Sequence, residues 1–274
     1  MTLQTPPELG ADTSPTARTA RRAIDRGLTL AGEILITAGV ILGLFVVWQL
    51  FYTDVQSGRT QSAALDELTF PEMPRVAAGT GTVETAQPDA PELVELIPDE
   101  LKVYSPSGAP VLGTQTEATT FGALHVPRWG YDYVKPISEG TSRARVLDAL
   151  GIGHYPNTAM PGEVGNFSVA GHRTTYGKPF TDIQLLEGGD ALVVQTDAAW
   201  YVYRVTSTEI VQPSYMAAIA PTPDAPGVAP TVASITLTSC HPRYSAAQRY
   251  IVHGELEYWA PTGHGYPSEI VEGA

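Results

Sequence analysis

The stretch from Leu28 to Tyr52 limits what this chain can become more than any other, because it carries no charge between Ile34 and Leu50. A helix crossing a bilayer core needs about 20 apolar residues, and this run reaches that length with Glu33 at the interface. Arg18, Arg21, Arg22 and Arg26 precede it, and Trp48, Phe51 and Tyr52 close it. Basic residues flank the cytoplasmic end of a span and aromatic rings settle at the membrane–water boundary. The expected topology is therefore a cytoplasmic tail over 1–27, a transmembrane anchor over 28–52 and everything after Asp54 outside. A cleavable signal peptide has a shorter apolar region that ends in small residues. This run ends in large aromatics, which favours an uncleaved anchor.

Residues 1–17 are rich in Pro, Thr and small side chains without apolar periodicity and read as disordered. On the far side of the anchor, residues 53–119 are polar, acidic and dotted with proline, as in Ala77-Ala-Gly-Thr-Gly-Thr-Val-Glu-Thr-Ala-Gln-Pro-Asp-Ala-Pro91. Such a composition buries too little apolar surface to offset the entropy of ordering, so an extracellular disordered stalk is expected. Short apolar patches at 94–97 and 101–104 are the places where it would dock.

A compact domain is expected over 120–260, with a tail over 261–274. Runs rich in Val, Ile, Thr and Tyr at 122–126, 166–170, 191–195, 199–205, 234–239 and 250–256 read as strands, separated by turns such as Glu187-Gly-Gly-Asp190. Short helices fit 142–150 and 181–186. Many short strands point to a mainly β closed barrel or sandwich. The chain's 23 prolines and 26 glycines fit linkers and turns. A net charge of −13 argues against a nucleic-acid partner. The sequence has no phosphate-binding glycine loop, no zinc-ligand spacing and no acidic cluster suited to calcium, so neither cofactor nor metal is expected.

Cys240 is the single cysteine of the chain, which excludes an internal disulfide. It ends the strand-like run Ile235-Thr-Leu-Thr-Ser239, where a rigid element would present it to an opening. A thiol needs an imidazole or a cation nearby to become a nucleophile. His172, in Ala170-Gly-His-Arg-Thr-Thr-Tyr-Gly177, follows another strand-like run. His241 is adjacent to Cys240 but points to the other face of an extended chain. Arg249 opens the next strand, and Arg243 in the intervening loop competes with it. His125, His154, His253 and His264 read as structural.

Thr236-Leu-Thr-Ser-Cys240, followed nine residues later by Arg249, resembles the sortase signature of Thr-Leu-x-x-Cys and an arginine on the next strand. The segment Gly153 to Phe180 resembles the sortase histidine region, in particular that of class E sortases of actinobacteria. The resemblance covers about half the chain. It implies a mainly β, eight-stranded sortase-type barrel with short helices, preceded by a single transmembrane helix and a stalk. It also implies a cysteine transpeptidase with His172, Cys240 and Arg249 as catalytic residues. Its substrates would be exported proteins with a sorting signal, most in keeping with Leu-Ala-x-Thr-Gly, cut between Thr and Gly. Its acceptor would be a cell-wall precursor amine of the lipid II type. The segment Trp259-Ala-Pro-Thr-Gly263 is similar to such a signal but lacks the apolar segment and basic tail that follow one, and it reads as coincidence.

Three alternatives belong to other classes: an L,D-transpeptidase, a hydrolase with the same machinery, and a non-catalytic binding module. The first places arginine two residues after cysteine, whereas here His241-Pro-Arg243 follows Cys240. Product analysis separates the second, and thiol reactivity the third.

Overall fold

The computed structural model describes residues 15–48, 53–68 and 94–273, which fall into two compact units, 1–51 and 52–274. In the first, helix α1 (Pro15–Val47) includes a segment, Arg26–Val47, with mean hydropathy 2.3. Its 22 residues span about 33 Å as helix, matching a bilayer core of about 30 Å. Leu35 and Ile36 stand 72% and 70% exposed, a surface that water would not favour and lipid would. One apolar helix of this kind is compatible with a single membrane anchor. Phe51 and Tyr52 of the expected aromatic belt lie outside the described residues, as do residues 1–14 of the tail.

The second unit is the expected eight-stranded barrel. Its strands are β1 (Thr120–His125), β2 (Val134–Glu139), β3 (Ile152–His154), β4 (Gly165–Gly171), β5 (Ala191–Gln195), β6 (Ala199–Val211), β7 (Ala233–His241) and β8 (Gln248–Pro261). They close in the order β1-β2-β3-β4-β7-β8-β6-β5. β2–β3 and β4–β7 pair in parallel and the other neighbours antiparallel. All six strands expected from the sequence are present. The expected helices are shorter, a turn at Arg143–Leu147 and one at Ile183–Leu185.

Alternation sorts each strand into inward and outward residues. Leu124, Ile137, Phe167, Val169, Leu192, Tyr203, Ile235, Leu237 and Val252 point inward into one buried cluster. Each such side chain contributes roughly 1.5–3 kcal/mol on burial. Tyr203 keeps its hydroxyl satisfied there by accepting from the Gly162 amide at 2.8 Å. A second cluster forms on the outside of β5, β6 and β8, where Val193, Trp200, Val202 and Tyr258 meet Ile97, Tyr266 and Ile270.

That second cluster is where the apolar patches at 94–97 and 101–104 dock, with the tail packed beside them. Leu96 bridges to Tyr266, and Val103 to Trp259, so residues on both sides of the barrel sequence seal its back. Trp259-Ala-Pro-Thr-Gly263 is built into β8 and the turn after it, which fits the reading of coincidence. The stalk also contains helix α2 (Thr53–Asp66). Its buried face is Ser57, Gln61 and Ala64, at helical spacing but mostly polar. Polar docking leaves no apolar periodicity to read, which is why the segment looked unstructured. Residues 69–93 of the expected stalk lie outside the described residues.

Candidate active site

Cys240 and Arg249 face each other directly in the β7–β8 register. β4 lies on the other side of β7 in parallel register, with Ala170 beside Thr238. Ser239 Oγ donates to the Gly171 carbonyl at 2.8 Å and locks that end of the pair. His172, the next residue after β4, thus emerges at the same barrel end as Cys240. Ile235 and Leu237 point inward, so Thr236, Thr238 and Cys240 line the outer face of β7. The thiol is half-buried on that face. Tyr155, after β3, lies over the same face and its hydroxyl meets Thr238 Oγ1 at 3.0 Å.

His172 Nε2 stands 2.6 Å from Asp148 Oδ1. That contact leaves Nδ1 as the nitrogen free for proton transfer. Tyr176 packs its ring on the imidazole with centroids 5.2 Å apart. Helix α2 braces both loops. Ser57 Oγ donates to the Asp148 carbonyl at 2.9 Å, and Gln61 Nε2 to the Tyr176 carbonyl at 3.1 Å. The Gly177 amide donates to Asp54 Oδ1 at 3.1 Å, and Lys178 pairs with the same carboxylate.

Arg249 Nη1 donates to the Ala246 and Gln248 carbonyls at 3.0 and 2.9 Å, which leaves the rest of its fork to a ligand. Arg243, the competing cation, turns away to Thr181 and Asp182. Arg173 lies against the Cys240 backbone instead. Its Nη1 donates to the Cys240 carbonyl at 3.2 Å and to His241 Nδ1 at 2.8 Å, and Nη2 to Gln184 Oε1 at 2.7 Å. Burial, reinforced by Arg243, lowers the Arg173 pKa, yet a guanidinium remains cationic in proteins.

The Sortase domain family profile matches residues 124–257. The structure of the SrtA sortase from Actinomyces oris is 41% identical, covers 61% of this chain and 95% of its own, and superposes with a TM-score of 0.57. The chain belongs to the sortase family. Within it, this sortase is 33% identical to Sortase SrtE1 of Streptomyces coelicolor over 88% of its own length and 60% of the relative's. It therefore spans less than two thirds of that relative. The structure of Sortase E1 from Streptomyces coelicolor with tripeptide in the active site is 38% identical, covering 58% of this chain and 100% of that one, with a TM-score of 0.53. These likenesses bear out the class E resemblance.

Three features of this sortase escaped the sequence reading. Asp148 follows a short turn 24 residues before His172, with no motif to join the two. Arg173 sits next to His172 but is 67 residues from the Cys240 carbonyl that it binds. The contribution of α2 was hidden by its polar face. Arg173 alone left a signal, as a second cation within the histidine segment.

Proposed function

We propose that this chain is a membrane-anchored transpeptidase that cuts a Leu-Ala-x-Thr-Gly sorting signal between Thr and Gly and transfers the acyl fragment to a cell-wall precursor amine. The observation that carries the reading is the register: Cys240 opposite Arg249, with His172 at the end of the neighbouring strand. In the first half-reaction the Cys240 thiolate attacks the threonine carbonyl carbon. Arg249 donates to the oxyanion, a role suited to a planar fork aimed where charge develops. As the C–N bond breaks, His172 gives its proton to the leaving glycine amine, and a thioester remains on Cys240. The acceptor amine then attacks that thioester, His172 takes the amine's proton, and the thiolate departs. Transfer rather than hydrolysis requires that the amine outcompete water at the thioester.

The peptide-binding role is supported by the tripeptide in the active site of the Sortase E1 structure. The single apolar helix and its preceding arginines support a cytoplasmic N-terminus with the barrel outside. The test is mass spectrometry of the full chain in detergent micelles with a Leu-Ala-x-Thr-Gly peptide and an amine, beside Cys240→Ala. A transpeptidated product that disappears in the variant is expected. Hydrolysis alone would assign the chain to the hydrolases. An unreactive Cys240 with no turnover on any signal would leave a binding module.

A further inference from the structure

On the same outer face as Cys240, four residues back along β7, Thr236 pairs directly with His253 of β8. That spacing puts His253 about 13 Å from the nucleophile's level. His253 is 4% exposed, and its Nε2 has no hydrogen-bond partner. The Glu209 side chain of β6 is 33% exposed, but its Oε1 is covered and likewise without one. These two atoms stand 3.6 Å apart, and Asp224 Oδ2 lies 3.4 Å from the same nitrogen. Asp224 comes from the loop between β6 and β7, where it adopts a φ of +60°.

Hydrogen bonds behind the imidazole fix which nitrogen carries its proton. Asn166 Nδ2 donates to the Ala218 and Ala220 carbonyls at 3.0 and 2.9 Å, so its Oδ1 is an acceptor. The Thr236 hydroxyl donates to that Oδ1 at 2.7 Å, a shorter contact than the 3.4 Å to the Ala218 carbonyl. Having one proton, Thr236 must accept from His253 Nδ1 at 2.8 Å. A neutral His253 therefore aims the lone pair of Nε2 at two carboxylates. Three acceptors facing one another need a cation between them.

We propose that Glu209, Asp224 and His253 bind a divalent transition metal, zinc being the best fit. Ligand atoms around tetrahedral zinc lie about 3.4 Å apart when the metal–ligand bonds are about 2.1 Å, close to the two separations found here. The three donor atoms all fall within 4.8 Å of one another. An imidazole in the set selects against calcium and magnesium, which prefer oxygen alone. The Thr236–Asn166 relay supplies the outer hydrogen bonds that orient a ligating histidine. The metal would pin a loop that leaves β6 at Val211, beside Arg249, and returns to β7 at Ala233.

The test uses the full chain in detergent micelles with Cys240→Ala, which removes the thiol as a competing ligand and makes the result independent of catalysis. After chelator treatment, titration with Zn²⁺ should show one equivalent bound and a rise in Tm. Co²⁺ should give the visible bands of a tetrahedral site. Asp224→Asn lies on a loop and should leave the barrel folded; it and Glu209→Gln should each weaken Zn²⁺ binding by about tenfold or more. No uptake by the folded chain would overturn the proposal, leaving a His253 imidazolium between the carboxylates. Uptake unchanged by both substitutions together, or Ca²⁺ binding as tightly as Zn²⁺, would overturn it as well.

Discussion

Asp148 Oδ1 holds His172 Nε2 at 2.6 Å, and the same aspartate accepts the Ser57 hydroxyl of α2 through its backbone carbonyl. The imidazole is thereby aimed from a loop that is itself held by a helix outside the barrel. Asp148→Asn keeps the shape but loses the charge-assisted contact. Its kcat is expected to fall about tenfold to a hundredfold, a fraction of what general acid–base catalysis contributes. Steady-state kinetics on a signal peptide checks it, and a kcat within twofold of the parent would remove Asp148 from the machinery.

Arg249 should not tolerate lysine. A lysine amine carries the charge but cannot hold two loop carbonyls and also present a planar fork. Arg249→Lys is expected to lose about a hundredfold or more in kcat/KM, the scale of one lost oxyanion donor. Alkylation of Cys240 by a thiol reagent should be much less affected, since no carbonyl is polarised in that reaction. Parallel losses in both measurements would point to collapse of the loop instead.

The contact between α2 and the histidine loop can be probed at Gly177. This glycine has a φ of +74°, and a Cβ there would lie 2.5 Å from Gln61 Nε2. Gly177→Ala should destabilise the folded chain by about 1–3 kcal/mol, combining left-handed strain with overpacking. Gln61→Ala in the same chain should restore part of that loss. Denaturant unfolding of the two single variants and the double variant measures the coupling, and strictly additive effects would refute it.

A dependence of stability on pH follows from His125. Buried at 3% exposure and bonded to Gln195, it has its pKa lowered to about 4, chiefly by burial. The unfolded chain binds this proton near pH 6.5 and the folded chain does not, so stability falls as pH drops from about 6.5 to about 4. The total is on the order of 3 kcal/mol. His125→Gln should flatten that part of the profile in chemical unfolding at several pH values. An unchanged slope would assign the acid sensitivity to other groups.

The sequence announced most of the barrel because its strands carry the composition that burial demands. β5 (Ala-Leu-Val-Val-Gln) and β7 are runs that could hardly be anything else. β2 was invisible because Pro136 interrupts it, and proline usually argues against a paired strand. β3 has three residues, too few to form a pattern. The positions of Cys240 and His172 at one barrel end, and the pairing of Cys240 with Arg249, were legible from a local motif and one turn of chain. Asp148 and Arg173 were not, because tertiary contacts across the barrel end give them their roles. Glu209, Asp224 and His253 meet only once β6, β8 and the loop between β6 and β7 have been brought together. No spacing rule links such residues.

The parallel pairing of β4 with β7 also bears on when the candidate site is assembled. β4 brings His172 to the end of β7 that carries Cys240 across a separation of 68 residues, and Arg249 arrives opposite Cys240 only when β8 has paired with both β6 and β7. Non-local pairing of this kind forms late in folding, since loop closure precedes the contacts that reward it. A chain made in sequence order would hold Cys240 without Arg249 opposite it until β8 had been added and the sheet had closed. The candidate site is therefore completed by the last strand of the barrel to be made, whatever the order in which the earlier ones pair.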